Sequence, residues 1–145
     1  MIPASVHARR ACALYFRSDS SPSGLRTMET ILLALVVDDD STVRTYITSI
    51  LHSESFETLE AADGKHALEM VLMLGGEVDL IVTDLQMPGG DGISLARAVR
   101  ASYPSVSIIL VSGCAEPDGS FEFVEKPFSW ATMVRVVRRV MAKAA

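Results

Sequence analysis

The chain has 145 residues, which is room for one domain, and 49% of them are hydrophobic, which is enough to build a full core. A formal net charge of −5 argues against a nucleic-acid-binding surface. The longest apolar run, Ile31–Val37, is far shorter than the roughly 20 residues that a membrane helix needs. Cys12 and Cys114 form neither a disulfide framework nor a zinc motif. We therefore expect a soluble cytoplasmic protein with free thiols.

Residues 1–28 mix Ser, Arg, Pro and Gly without any apolar period, which predicts a disordered N-terminal extension. An organelle transit peptide and a true translation start at Met28 are the alternative interpretations. The folded domain is predicted to span residues 29–145.

Short apolar runs alternate with helical patterns from Ile31 onward, which predicts an α/β domain with a parallel sheet. The elements of the first half are, in chain order, a strand at Ile31–Val37, a helix from Ser41, a strand around Glu57–Ala61 and a helix from about Gly64 to Leu74. The apolar face of the first helix carries Val43, Ile47, Ile50 and Leu51. Gly75 and Gly76 are expected to stop the second helix.

The second half continues the alternation until the strand ending at Val111. Its elements are a strand at Leu80–Thr83 running into Asp84, a helix from near Gly92, strands at Val106–Val111 and Phe121–Val124, and a helix from Ser129. Ile93, Ala96 and Val99 are predicted to face the core from the first of these helices. The last helix is predicted to bury one stripe, made of Trp130, Met133, Val134, Val137, Val140 and Met141. Together the elements predict a doubly wound sandwich, whose ligand site lies beyond the carboxyl ends of the strands.

Charged and hydroxyl side chains follow the strands at that edge. The first strand ends in three aspartates, Asp38 to Asp40, and the later strands end in Asp84, Ser112 and Lys126. Capping of the following helix is the structural alternative for Asp38 and Asp39, although Asp40 or Ser41 is sufficient for that role. Asp38, Asp39 and Asp84 would repel one another without a cation, and such hard oxygen ligands suit Mg²⁺.

The segment from Asp84 to Gly92 contains one Pro and three Gly, which predicts an irregular loop able to turn the Gln86 carbonyl toward a metal. A carboxylate beside Mg²⁺, with a lysine and a hydroxyl nearby, is equipped to attack a phosphoryl group in line. Lys126 would neutralise phosphoryl oxygens, and Ser112 would donate a hydrogen bond to them.

The chain resembles the response-regulator receiver domains of two-component signalling over about residues 31–142. The resemblance is carried by LALVVDDDSTVR, VTDLQMPGGDGISL, IILVSG and FVEKPFS, each at the expected element and in the expected order. It implies a flavodoxin-like, three-layer sandwich with strand order 2-1-3-4-5. It also implies that Asp84 is the phosphoacceptor and that Mg²⁺ is bound by Asp39, Asp84 and the Gln86 carbonyl directly, and by Asp38 through water.

The same resemblance assigns switch roles to Ser112, which follows the phosphoryl group on activation, and to the aromatic Phe123. Lys126 would contact the phosphoryl group, and its bond to Pro127 would be cis. The implied partners are a sensor histidine kinase or a histidine phosphotransfer protein and a downstream protein target, with no nucleic acid or membrane. A homodimer is left open. The chain would not be an enzyme, apart from self-catalysed phosphoryl transfer and autodephosphorylation.

The interval between Ser112 and Lys126 departs from the family pattern, because it is too short for a complete fourth helix. Pro117 and Gly119 fall within it and do not sustain a helix. The fourth helix is therefore predicted to be short or absent, which puts in doubt the face that it usually forms with the fifth strand and the last helix.

Two other functions fit part of the pattern. A phosphatase of the haloacid-dehalogenase class would use Asp38 as nucleophile and Asp40 as general acid/base, but it needs a later acidic motif, and no Asp or Glu follows Lys126. A receiver-like interaction module that never takes phosphate is the other alternative. Such a module usually lacks the acceptor, the acid pair or the lysine, all of which are present.

Overall fold

The computed structural model describes residues 31–88, 91–114 and 119–144. The predicted N-terminal extension, residues 1–28, and Cys12 lie outside the described residues. Cys114 is a free, exposed thiol, as expected.

Five parallel strands form one sheet in the order β2-β1-β3-β4-β5. The strands are β1 (Leu32–Val37), β2 (Phe56–Ala61), β3 (Leu80–Asp84), β4 (Ser107–Ser112) and β5 (Glu122–Glu125). The helices are α1 (Ser41–Ser53), α2 (Gly64–Met73), α3 (Gly92–Ser102) and α4 (Trp130–Ala144). The predicted fold class and strand order are confirmed.

The sheet separates two apolar cores, so the domain has three layers. On one face, α1 and α4 pack through residues such as Ile50 and Val137, and on the other face α2 and α3 pack through Val71 and Val99. The central strands are covered on both sides, which is why β1, β3 and β4 are nearly continuous apolar runs rather than alternating ones.

Helix boundaries follow local capping chemistry. Asp40, Asp63 and Asp91 precede α1, α2 and α3, and each side chain accepts a hydrogen bond from a main-chain N–H of the first turn. At the end of α2, Gly75 and Gly76 have left-handed φ angles of 61° and 75°. Their N–H groups donate to the carbonyls of Leu72 and Val71, which is a Schellman motif. The predicted glycine stop is confirmed.

The buried faces of two helices differ from the predicted ones. Leu95 is buried in α3 while Ile93 is only half-buried, and Val136 is buried in α4 although the predicted stripe omitted it. Trp130, predicted to be buried, is 42% exposed and contacts the Tyr46 ring edge-on. It is the first residue of α4.

No helix occurs among the described residues between β4 and β5, and only residues 115–118 of that interval are outside the description. The prediction of a short or absent fourth helix is confirmed. None of the helices in the described ranges combines the length and the apolar character that a membrane span requires.

Core packing gives the first prediction. Leu35→Ala should lower the free energy of unfolding by about 2–5 kcal/mol, because Leu35 is completely buried in β1 and its removal leaves a cavity. Leu72→Ala is the matched control, since Leu72 is 53% exposed, and should change stability by less than about 0.5 kcal/mol. Urea denaturation followed by circular dichroism measures both. Equal losses in the two variants would contradict the assigned core.

Candidate functional site

The register of the sheet brings the ends of four strands to one edge. Val37 pairs with Thr83 across β1 and β3, Asp84 pairs with Val111 across β3 and β4, and Ser112 pairs with Glu125 across β4 and β5. The residue that follows each strand therefore emerges beside its neighbours. This is the carboxyl edge at which parallel sheets hold their ligands.

Three carboxylates meet at that edge. Asp38, Asp39 and Asp84 each offer an oxygen within 4.8 Å of the others, with Asp38 and Asp84 buried and Asp39 exposed. Asp38 is only 1% exposed and Asp84 only 8%. One open side and three hard oxygen donors form a set that fits a Mg²⁺ ion with part of its water shell retained.

Lys126 is the counter-charge of the buried acids. Its ammonium Nζ lies 3.0 Å from Asp38 Oδ2 and 3.3 Å from Asp84 Oδ2. Among the described residues, Lys126 is the cation that contacts these carboxylates, so the three acids keep an excess of negative charge that a divalent cation would balance.

Burial raises the pKa of Asp38, against the opposing effects of the Asp40 N–H and of Lys126. For Lys126, burial disfavours the charged form, but the hydrogen bond and charge of Asp38, and then Asp84, outweigh it, and the pKa of Lys126 is raised. The ammonium therefore holds its proton firmly, whereas the Asp38 carboxylate is kept charged at an electrostatic cost. Removing Lys126 would leave two buried carboxylates facing each other.

The remaining predicted site residues occupy different positions around the cluster. The Gln86 N–H donates to Asp84 Oδ1 at 3.2 Å, which fixes the loop against the acid. Ser112 is buried, its Oγ accepts from the Cys114 N–H at 3.0 Å, and its carbonyl accepts from the Lys126 N–H. Phe123 lies apart from the acids, half-buried in β5 opposite Leu110. The Lys126–Pro127 bond is cis, as expected.

Asp40 stands outside the cluster. Its Oδ1 accepts from the Thr42 N–H at 2.9 Å, and the residue is exposed at the start of α1. The carboxylate thus serves as the helix cap that was predicted for Asp40 or Ser41. A phosphatase that used Asp40 as its proton carrier would have to release it from that role.

Three residues support the site and were not identified from the sequence. Arg44 Nη1 donates to the Asp38 carbonyl at 2.6 Å, and the buried Thr83 hydroxyl donates to the Asp84 carbonyl at 3.0 Å. Gly92 lies so close to Asp84 that an added Cβ would collide with the Asp84 main-chain oxygen. The position of Arg44, one turn after the cap Asp40, was an available signal, because it faces the same strand end.

Comparison with known proteins gives one consistent result. A family model described as the response regulator receiver domain matches residues 34–138. The chain is 38% identical over 117 residues to sensor kinase CckA of Brucella abortus, covering 75% of this chain but 12% of that protein. It is 35% identical over 120 residues to the chemotaxis protein CheY of Pseudomonas aeruginosa, covering 75% of this chain and 95% of that protein.

Solved structures agree with this. The receiver domain of the hybrid histidine kinase CckA superposes with a TM-score of 0.67 at 30% identity, covering 75% of this chain and 98% of that one.

Among the sequence relatives, the transcriptional regulatory protein CpxR of Escherichia coli (strain K12) is matched over 49% of its length. The chain thus spans an eighth to a half of some curated relatives and nearly all of others.

The close approach of Gly92 to Asp84 gives the second prediction. Gly92→Ala should lower the free energy of unfolding by about 1–3 kcal/mol, because the new methyl group forces the Asp84 backbone to move. Gly113→Ala is the matched control, since a Cβ there meets nothing within 4 Å, and should cost less than about 0.5 kcal/mol. Urea denaturation measures both, and a neutral Gly92→Ala would show that the loop is not constrained as described.

Proposed function

Because the chain belongs to the response regulator receiver domain family, we propose that it is a phosphoacceptor of a two-component phosphorelay that takes a phosphoryl group onto Asp84. The donor is a phosphohistidine of a sensor histidine kinase or of a histidine phosphotransfer protein. The observation that carries the proposal is the approach of Asp38, Asp39 and Asp84 to within 4.8 Å, with Lys126 bridging two of them.

Asp84 is the acid best placed to act as nucleophile. It is the last residue of the central strand β3, and the Gln86 N–H and the Lys126 ammonium hold its two oxygens. In the proposed step a carboxylate oxygen attacks phosphorus, and the P–N bond to the donor histidine breaks as the new P–O bond forms. The electron pair of the broken bond stays on the imidazole, and the product is an aspartyl phosphate.

The donor set fits Mg²⁺, and we assign Asp39, Asp84 and the Gln86 carbonyl as direct ligands, with Asp38 acting through water. When bound, the ion would neutralise charge on the phosphoryl oxygens and lower the repulsion among the acids. The Asp40 N–H holds the Asp38 carboxylate in place, and Arg44 holds the main-chain carbonyl of the same residue. That support limits the rearrangement that binding requires.

Lys126 and Ser112 are proposed to hold the transferred group. The Lys126 ammonium would pass from its present carboxylate partners to a phosphoryl oxygen, and the Ser112 hydroxyl would donate to another. The Lys126 N–H donates to the Ser112 carbonyl at 2.7 Å, and this main-chain hydrogen bond connects the two residues across β4 and β5. Phe123, three residues before Lys126, is the proposed aromatic switch.

In this proposal the chain is a cytoplasmic signalling protein rather than an enzyme with an external substrate. Its only chemistry is self-catalysed phosphoryl transfer and autodephosphorylation, and its output is a changed surface for a downstream protein. The relatives named as a sensor kinase and as a chemotaxis protein support partners of these two kinds.

Asp84→Asn gives the third prediction. The variant should take up no phosphoryl group from acetyl phosphate and Mg²⁺, because the amide lacks the nucleophilic charge, whereas the wild type gains one labile phosphoryl mass. Asp63→Asn is the matched control, since Asp63 caps α2 away from the cluster and Asn caps equally well. Intact-mass spectrometry measures the adduct. Undiminished labelling of Asp84→Asn would refute the assignment.

The same assay separates the alternatives. Asp40→Asn retains the cap of α1 and should be phosphorylated like the wild type. A phosphatase would instead lose activity in Asp40→Asn and keep it in Asp84→Asn. A phosphorylation-independent module would give no adduct in any variant.

Mg²⁺ gives the fourth prediction. The ion should raise the melting temperature of the wild type, because it binds only the native cluster. At 100 times its Kd it should add about 2.7 kcal/mol to the free energy of unfolding. Asp39→Ala should lose most of this response, while Asp40→Asn should retain it, since Asp40 lies outside the cluster. Differential scanning fluorimetry with and without Mg²⁺ measures the shift. An undiminished response in Asp39→Ala would place the cation elsewhere.

A further inference from the structure

The turn between β1 and α1 carries two of the three clustered acids and holds them in different ways. Asp38 is buried, and its side chain accepts from the Asp40 N–H at 2.9 Å and from the Lys126 ammonium at 3.0 Å. Asp39 is exposed, and no donor among the described residues bonds its carboxylate. One of its oxygens nevertheless lies within 4.8 Å of the other two acids. The direction of Asp39 must therefore come from its main chain.

The peptide that joins Asp38 to Asp39 is the part of the main chain that sets this direction. A peptide unit is planar, so fixing the carbonyl oxygen of one residue also fixes the N and Cα atoms of the next. Arg44 fixes that oxygen, since its Nη1 donates to the Asp38 carbonyl at 2.6 Å. On the preceding side, the Asp38 N–H donates to the Ala61 carbonyl at 3.2 Å. The main chain is thus held on both sides of Asp38, and Asp39 follows from it.

Arg44 is itself held by two neighbouring elements. It belongs to the first residues of α1, where its N–H donates to the Asp40 carbonyl at 3.0 Å. Its side chain is 19% exposed, and its Nε lies 3.4 Å from Glu60 Oε1 on β2, an ion pair rather than a hydrogen bond. A guanidinium presents its donors in one rigid plane, so a single group can contact both the carbonyl of the turn and the carboxylate of the edge strand. The strand β2 thereby supports the turn.

The charge of Arg44 and its hydrogen bond have opposite effects on a cation. A guanidinium beside the acids repels a second cation, so charge alone predicts that removal of Arg44 strengthens Mg²⁺ binding. Loss of the hydrogen bond predicts weaker binding, because the ion would then have to order the Asp39 carboxylate when it binds. Glu60 offsets part of the guanidinium charge and so favours the second effect. A single measurement of Mg²⁺ affinity distinguishes the two.

We propose that Arg44 is a positioning residue of the metal site, which orders the exposed Asp39 carboxylate for Mg²⁺ through the Asp38–Asp39 peptide. The inference rests on the proposed Mg²⁺ site and extends it to a side chain that is not itself a ligand. Residues that orient metal ligands contribute about 10–100-fold to metal affinity. Arg44 holds the main chain of its ligand rather than the ligand side chain, so its contribution is expected at the low end, about tenfold.

The test compares Arg44→Met and Arg44→Lys in the full chain. Methionine keeps an aliphatic stem without a donor, whereas lysine keeps both a donor and the charge. Mg²⁺ is titrated into each protein, and amide chemical shifts of labelled protein give the Kd. Arg44→Met should raise the Kd for Mg²⁺ about tenfold, and Arg44→Lys should bring it back to within about threefold of the wild type. Thermal melting verifies that both variants fold.

Arg138→Met is the matched control. It removes the same charge and also breaks an ion pair, the one with Glu54, which follows the end of α1 whereas the acids precede its start. Its Kd for Mg²⁺ should stay within about twofold of the wild type, because Arg138 holds no part of the turn.

Two further measurements distinguish positioning from other roles of Arg44. In the metal-free protein, amide hydrogen exchange at Asp40 should be faster in Arg44→Met, because the Asp40 N–H bonds a residue that has lost its anchor. With acetyl phosphate, this variant should need about tenfold more Mg²⁺ for half-maximal labelling of Asp84 but should reach the wild-type rate at saturating Mg²⁺. A lower rate at saturation would overturn the proposal by showing that Arg44 acts on the phosphoryl group.

The titration itself can overturn the proposal in two other ways. An unchanged or lowered Kd in Arg44→Met would show that charge outweighs positioning, and equal weakening in Arg138→Met would show that the effect is unspecific. A different result would refute the proposed metal site itself, and this inference with it: a wild type without Mg²⁺-dependent shifts around Asp38, Asp39 and Asp84.

Discussion

Repulsion among three carboxylates at one edge of the sheet is the constraint around which the described domain is organised. Parallel pairing brings the ends of β1 and β3 side by side, so Asp38, Asp39 and Asp84 have to share a small volume. Lys126 reaches them only because β5 ends next to β4 in the register that pairs Ser112 with Glu125. The fold thus brings Lys126 to the three acids, although they are far apart in the sequence, and its charge reduces their repulsion.

The burial of apolar side chains in the two cores offsets the electrostatic cost of burying these carboxylates. Two of the three acids are almost fully buried, and an unbalanced buried carboxylate disfavours the folded state. The central strands β1 and β3 carry the acids, and they are covered on both faces. A rigid base keeps the oxygens from moving apart to relieve their repulsion. The proposed Mg²⁺ ion and phosphoryl group would therefore meet oxygens that are already held in place.

Much of this arrangement is predictable from the sequence, because apolar runs, cap residues and glycine stops are local signals. Val36 and Ile109 stand in runs that can only be buried strands, and the aspartates after them mark the carboxyl edge. The exposure of Trp130 was not predictable, since periodicity gives the face of a helix but not where the sheet beneath it ends. Gly92 could not be predicted because its role depends on the close approach of the Asp84 backbone, which no local pattern shows, whereas the position of Arg44 one turn after Asp40 was a local signal.

The short connection between β4 and β5 has consequences at both edges of the sheet. At the amino edge Arg100 covers Phe121, with its guanidinium carbon 3.8 Å from the ring centroid. At the carboxyl edge the ends of β4 and β5 meet, and the Lys126 N–H donates to the Ser112 carbonyl at 2.7 Å. Phe123 pairs with Leu110, so the proposed aromatic switch stands on the strand that leads to Lys126. A partner that binds this strand more tightly in one state of the proposed phosphoacceptor would favour that state by the same factor.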